Sequence, residues 1–530
     1  MQSYARPGRR SDASSLIQRL LVPLALLLTG LLFIPLGPLM PRDGLDPSWR
    51  YALNMAVENG YVFGRDLIFT FGPLGSVYST VYSPFTDHMM MWASALYAAG
   101  FVFAIHLSAP RQRQWCAIML PVLVSLFILR DAFFLVLPFF LLLAALRTTR
   151  FARDPYRLDL TPSVLVGLAV ATLAMGIGPI VKGSFSAVVL PIGALTFIAL
   201  VTSNARLAVA FAALLLAGTA GSWAFSGQAL ADLPEFFMAQ GPVVSSYTDA
   251  MSREGSSSAI VYFLLLVLLV CGAFAFALRR AFGRGAVLAC LALALTVFIS
   301  FKAGFVRQDD HVFMALGVLL LLAYGASLYV KKISVIAGLW IAMTLTWFAV
   351  GSSVVNLDAE FFAEKVLANW ERTYKGIKIR TSKPEALMEQ YDSAVSKIRA
   401  AHPLPPLRGA VDLYPNELSA LFANDLIWSG RPIPQSYAAY DPILDSKNVE
   451  HLRSSAAPDS VLFSFAPIDG RLPAQDDSGS VLELLSTYSV SALEPPYVLL
   501  KKREGPRTAK LDAENRIEMR RAFGEWIDLN

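Results

Sequence analysis

Residues 16–49 read LIQRLLVPLALLLTGLLFIPLGPLM followed by PRDGLDPSW, and the junction between these two strings decides the fold. The first, Leu16–Met40, is long enough to cross a hydrocarbon layer of ~30 Å and lacks the small-residue pattern of a cleaved signal. It follows a polar start carrying Arg6, Arg9 and Arg10, so an uncleaved first span with its N-terminus inside is expected. The second string sets Asp43 and Asp46 where bilayer meets water, and GRDLIFTFGPLG at 64–75 adds Arg65 and Asp66. Charge at that depth is costly to hold without a purpose. The loop 41–88 is therefore the expected active site.

The composition agrees with a membrane class. Hydrophobic residues make up 55% of the chain, charged residues only 16%, and the mean hydropathy is +0.51. The formal net charge of +5 arises from short basic clusters between apolar blocks, where topology accounts for them, so nucleic acid is not an expected partner. Cys116, Cys271 and Cys290 fall inside apolar blocks without metal-ligand or disulfide spacing, and read as core residues.

Further apolar runs at 89–108, 115–129, 132–146, 161–180, 184–202, 206–224, 258–278, 285–301, 311–330 and 333–353 give about eleven spans in all. The runs 115–129 and 132–146 are short for a bilayer, and the basic residues decide how they are read. As a hairpin with Arg130 and Asp131 at an outer turn, they put Arg147, Arg150, Arg153 and Arg157 inside, on the side of Arg111, Arg113, Arg206, Arg279, Arg280, Arg284, Lys331 and Lys332. Most loop carboxylates then fall outside. The expected fold is mainly α: a polytopic helical bundle over 1–353 and a small extracytoplasmic α/β domain over 354–530. That tail opens with an amphipathic helical stretch at 359–401 and crosses a proline linker at 402–406. Strands are expected at 410–414, 461–465 and 497–501, with helices at 415–423 and 480–488.

The polar stretches each have a plain reading beside a functional one. Asp46 before Pro47 reads as the N-cap of a helix through Trp49, Leu53 and Val57 to Gly60, its apolar side lying on the membrane surface. Asp66 reads as the partner of Arg65. Lys182, alone in the turn 176–184, suits a lipid phosphate or ordinary snorkelling to bulk lipid. The loop 302–311 carries Lys302, Arg307, Asp309, Asp310 and His311. Two carboxylates and a histidine are ligands for a divalent cation, but neighbours on one turn make a poor complete shell, so no metal centre is assigned and a divalent cation is only a candidate cofactor. Arg130 and Asp131 read as a pair closed on itself. In the tail, the stretch 431–441 with Gln435 and Tyr437 suits sugar contact as well as an ordinary domain surface.

An acidic residue in the first outer loop of a many-spanning chain with an outer C-terminal domain resembles the GT-C superfamily of glycosyltransferases. Asp43–Trp49, followed by Gly64, Arg65, Asp66 and Phe69–Pro73, is similar to an uncharacterised bacterial branch of it and to arabinosyltransferase-like enzymes. The likeness covers most of the chain as topology and residues 43–75 as motif. The Trp-Trp-Asp signature of oligosaccharyltransferases is missing, so transfer of a whole oligosaccharide to asparagine is not implied.

What the resemblance implies is a multi-pass enzyme of the bacterial inner membrane, N-terminus cytoplasmic and tail periplasmic. It would move a single sugar, arabinofuranose on resemblance alone, with inversion from a polyprenyl-phosphate donor to a hydroxyl of a glycan, lipid or protein. Such a transfer needs one carboxylate as general base, Asp46 first, with Asp43 and Asp66 as second choices for that role or for orienting the sugar. The departing phosphate needs cations aimed at it, drawn from Lys182, Arg65, Arg307 and Lys302. Trp49, His311, Asp309, Asp310, Gln435 and Tyr437 are expected to touch donor or acceptor. The alternative class, a lipid-linked glycan flippase or polymerase-like protein, calls for internal repeats and mid-span polar residues, which the sequence lacks. A non-enzymatic anchor leaves the charges of 41–75 unexplained.

Overall fold

The computed structural model describes residues 10–127 and 129–505, with side chains from Arg19 onward. Its N-terminal part is mainly helical. Helix α1 (Arg10–Phe33) stops short of the end of its apolar run, because Pro35 and Pro38 disfavour helical backbone in the residues before them. Then come α2 (Leu45–Glu58), α3 (Asp87–Ser108), α4 (Asp131–Arg147), α5 (Pro162–Val181), α6 (Ser186–Val201) and α7 (Ala205–Phe225). They are followed by α8 (Leu233–Ser245), α9 (Ser257–Phe282), α10 (Ala286–Phe305), α11 (Val312–Tyr329) and α12 (Ile333–Gly351).

Among the described residues, seven helical stretches are long and apolar enough to cross a membrane. The longest, Ser257–Phe305, is α9 and α10 joined through the turn Gly283–Gly285. The chain is a multi-pass membrane protein. The run 115–129 departs from expectation: it is the 3-10 helix Arg111–Met119 and the short helix Leu120–Ser125, not one spanning helix. Pro121 opens that second piece, and its missing N–H suits a helix start better than an interior.

Helices α4 and α11 are apolar on every side and buried along their whole length, as such helices must be, and form the centre of the bundle. At the end of α4, Arg147 is turned inward. Its guanidinium donates to the carbonyls of Tyr156 at 2.8 Å and Ala109 at 2.6 Å and also to that of Leu107.

The tail begins with α13 (Ala368–Ser382) and α14 (Glu385–Ala401). The small domain follows as β1 (Ala410–Tyr414), α15 (Leu418–Ala423), β2 (Ile427–Trp428), α16 (Pro442–Arg453), β3 (Ser460–Phe463), α17 (Ser478–Thr487), β4 (Tyr488–Glu494) and β5 (Tyr497–Lys502). The sheet order is β2-β1-β3-β5-β4, parallel in its first three strands and antiparallel at β5 and β4. The three expected strands and both expected helices are present. Strands β2 and β4 were missed because one has two residues and the other is largely exposed, without a buried alternation. The domain is pinned by Arg431, fully buried. It donates to Asp412 at 2.7 Å, faces Asp477 at 3.6 Å and lies 3.4 Å over the Tyr414 ring.

The tail docks onto α2. The Gly44 N–H donates to Glu417 at 3.1 Å, and Ser48 donates to the Ser419 hydroxyl at 3.1 Å. Tyr61 stacks on Trp428 at 4.9 Å and donates to its carbonyl at 2.8 Å. The apolar side of α2 is therefore covered by protein, with Tyr51 against Phe422 and Trp49 against Phe71, and does not lie on lipid as its amphipathic pattern suggested.

Candidate functional site

The loop 59–83 is sewn to the end of α5. Residues Phe71 and Lys182 face each other in an antiparallel bridge, with Gly72 N donating to Val181 O at 3.1 Å and Gly183 N to Thr70 O at 3.0 Å. Gly72 is required there: a Cβ on it would lie 2.4 Å from the Ile180 carbonyl oxygen. This short ladder brings the first loop and the turn carrying Lys182 together, although they are more than a hundred residues apart in the chain.

Lys182 is then surrounded. Its ammonium donates to Asp131 at 2.8 Å and lies 5.1 to 5.4 Å over the rings of Tyr78, Phe71 and Phe185. The Tyr78 hydroxyl donates to the other oxygen of Asp131. Asp131 does not pair with Arg130 as its neighbour suggested. Arg130 instead lies 4.1 Å over the Phe33 ring and donates to the carbonyls of Val77, at 2.6 Å, and Phe33. The start of α4, the first loop and the α5 end thus share one end of the bundle.

From Lys182 an aromatic path leads to Asp46. Phe71 stacks on Trp49 at 4.6 Å, and Trp49 Nε1 donates to Asp46 at 3.2 Å. Arg50 sits 5.2 Å over the Trp49 ring and donates to the second Asp46 oxygen at 3.3 Å. The N-cap of α2 is Gly44, at φ 104°, and Asp46 lies within the first turn and caps nothing. Its carboxylate, 60% exposed, is held from one side and open on the other. Burial raises the Tyr437 phenol of the tail well above its ordinary range, with smaller contributions from the charge of Asp46 and from Tyr247. Tyr247 is itself raised by burial and feels Arg307, Asp309 and Asp131. The first loop, α4 and the α5 turn thus form one neighbourhood through Asp46, Trp49, Phe71, Lys182 and Asp131, while the 306–311 loop is joined to the tail.

The 306–311 loop is internally balanced. Arg307 donates to Asp309 at 2.7 Å and to both oxygens of Asp469 at 2.7 and 3.1 Å, tying this loop to the tail. His311 Nδ1 lies 2.5 Å from Asp309 and 3.5 Å from Asp310. Burial acts to lower the His311 pKa, but the bonds to Asp309 and Asp310 outweigh it and push it up to about 9. Burial likewise acts to raise Asp309, and is overcome by His311 and Arg307, which hold it well below the usual carboxylate range. The three side chains can converge on one cation, yet Asp309 is already paired with Arg307 and His311, and Asp310 faces His311.

The remaining expected residues lie apart from this neighbourhood or within the protein. Asp43 pairs with His402 at 3.0 Å, and that bond holds it below its ordinary range. It also edges a cavity of about 600 Å³ against Glu389, Ser393 and Lys397 of α14, whose walls include neither Asp46 nor Lys182. Asp66 closes its own turn, accepting from Val62 N at 2.9 Å and from Arg65 at 3.3 Å, while Arg65 also faces Asp232 at 3.6 Å. Lys302 sits in the last turn of α10, half-buried. Gln435 is buried in the tail and donates to Asn416 O at 3.1 Å, leaving no surface for a ligand. Arg50, Tyr78 and Tyr247 were missed. Arg50 was legible four residues after Asp46 on one helix face, whereas the two tyrosines carried no signal.

The fold and the site define a multi-pass membrane protein whose polar chemistry is gathered under a small α/β domain at one end of the bundle. No family model and no curated protein matches the chain. Among solved structures it is similar to ArnT from Cupriavidus metallidurans, in crystal structures of the apo state and bound to undecaprenyl phosphate. Identity is 15% in both, over 94% of this chain and all of that one, with TM-scores of 0.34 and 0.37.

Proposed function

We propose that this protein is a membrane glycosyltransferase that takes a single sugar from a polyprenyl-phosphate donor and passes it to a hydroxyl at the tail-side face of the membrane. The observation that carries the reading is the unbroken path from Lys182, through Phe71 and Trp49, to the open carboxylate of Asp46 at the ends of the spans. An ammonium at that depth, with one of its three protons on Asp131, has donors left for a lipid phosphate. Arg50, paired with Asp46 at 3.3 Å, is a second cation beside the base.

In the reaction, the acceptor oxygen attacks the anomeric carbon, its proton passes to Asp46, and the bond from that carbon to the phosphate oxygen breaks. The polyprenyl phosphate leaves with the charge that Lys182 and Arg50 offset. Trp49, buried against Phe71 and Arg50, holds the carboxylate in position and, contrary to expectation, has no free ring face for a sugar. The sugar and the acceptor, whether glycan, lipid or protein, belong to the same proposal, as do the bacterial inner membrane and a periplasmic tail. Arabinofuranose rests on the resemblance of residues 43–75 alone.

The test is donor turnover in proteoliposomes given a mixture of polyprenyl-phosphate sugars, with Asp46→Asn compared at matched folded amount. Loss of sugar from the carrier is expected for the unaltered protein and a fall of at least ~10²-fold for the variant. Equal turnover by both would remove Asp46 as the base.

A further inference from the structure

The stretch that connects the last span to the tail has a surface that the proposed reaction does not use. After α12, Phe361 packs at 6.1 Å on Phe313 and Phe362 at 6.1 Å on Trp347, so residues 359–367 fold back against the tail-side ends of α11 and α12. Helix α13 then runs across to the end of the first span. Gly376 meets Gly37 so closely that a Cβ on it would lie 2.1 Å from the Gly37 nitrogen. Arg380 clamps both oxygens of Asp87, at 2.7 and 2.8 Å, and donates to Leu36 O at 2.8 Å. Asp87 opens α3. The helix is thus held at the level where three apolar helices leave the bundle, lying along its rim.

The side of α13 away from Gly376 is divided in two. One flank carries Tyr374 and Ile377, 69% and 39% exposed, in line with Leu367 just ahead of the helix, 63% exposed, while Trp370 between them is half-buried against the core. The other carries Glu371, Lys375 and Lys378, all exposed. From Ala368 to Lys383 there are five basic residues and the single acidic Glu371. Aromatic and aliphatic side chains beside a lysine flank, on a helix fixed at the rim of a spanning bundle, match the chemistry of the headgroup layer.

We propose that α13 is an interfacial helix that, with Leu367 just ahead of it, seats Tyr374 and Ile377 in the tail-side leaflet and holds anionic lipid headgroups on Lys375 and Lys378. Continuity argues for lipid as the occupant: the helix is anchored to the ends of α1 and α3 and follows α12, so the bilayer edge those helices define runs beneath its stripe. The proposal depends on the multi-pass fold and is independent of the reaction. Through α14, whose Tyr391 shares a 2.9 Å hydrogen bond with Tyr51 of α2, a seated α13 would also set the height of α2, which carries Asp46.

The test uses the full chain in lipid vesicles with a nitroxide at Tyr374→Cys and, as a water reference, at Lys447→Cys on the exposed side of α16. Background from the three native thiols is measured on the unaltered protein. The Tyr374 label is expected about 5–10 Å below the phosphate level, with collisions favouring oxygen over a water-soluble nickel complex. It should move deeper when phosphatidylglycerol is added to phosphatidylcholine, and the Lys375→Glu, Lys378→Glu pair should abolish that shift. A Tyr374 label as accessible to nickel as the Lys447 label would overturn the seating. A depth that ignores lipid charge in the unaltered protein would overturn the headgroup contact.

Discussion

Replacing Asp131 by alanine tests how the site is held together. Its side chain is 2% exposed and that of Lys182 is 14%, so the substitution strands an ammonium with little access to water. Breaking a buried pair at one partner typically costs ~3–5 kcal/mol. Here the rings of Phe71, Tyr78 and Phe185 remain around the cation, and each such contact offsets up to ~1 kcal/mol. The Tyr78 hydroxyl also loses its acceptor, which adds ~1 kcal/mol to the cost. The expected loss is therefore ~2–4 kcal/mol. The Asp131→Ala, Lys182→Met double variant removes the stranded charge and should recover at least ~1.5 kcal/mol of that loss. Unfolding free energies from denaturing-detergent titrations in mixed micelles, followed by tryptophan fluorescence, supply all corners of the cycle. A single variant that loses less than ~1 kcal/mol, or a double variant no more stable than the single, would refute the buried-pair reasoning.

Two further outcomes follow from the same geometry. Gly72→Ala should cost ~2 kcal/mol or more, since the new methyl group meets a backbone carbonyl that cannot rotate away, and should detach the first loop from α5; limited proteolysis of 59–83 would reveal it, and resistance equal to that of the unaltered protein would count against the ladder. The His311 pKa lies above its ordinary 6.5 in the folded protein, at about 9, so the stability it contributes is fully present below 6.5 and is lost as pH rises through 9. The thermal midpoint should fall across that window, His311→Gln should flatten the fall, and an unchanged slope in the variant would show that other groups titrate there.

The apolar runs marked α3 to α7 and α9 to α12 to within a few residues, because a helix among lipid or apolar neighbours must satisfy its own backbone and must be apolar to do so. The prolines at 35 and 38 and the proline at 121 cut α1 and the run 115–129 short, a local effect of proline that is legible in the sequence. Asp46 and Lys182 stood out as charges at the ends of apolar runs. Their setting did not. Asp46 looked like a cap, and only the backbone of Gly44, at positive φ, moved the cap position and freed the carboxylate. Asp131 looked like the partner of Arg130, and its true partners, Lys182 and Tyr78, lie about fifty residues away in either direction.

What the sequence determined by itself is the class: a chain this apolar, with its charge confined to the gaps between runs, has no folded state in water and one available architecture in a bilayer. Strands β1 and β3 were legible for a related reason, since their buried runs are continuous, and β5 because its burial alternates along an apolar run. Only the tertiary structure decided which charges belong to each other. Ion pairs and cation–ring contacts act over a few ångströms of space, with no regard for separation along the chain, and here the close packing at Gly72 and Gly376 set those distances.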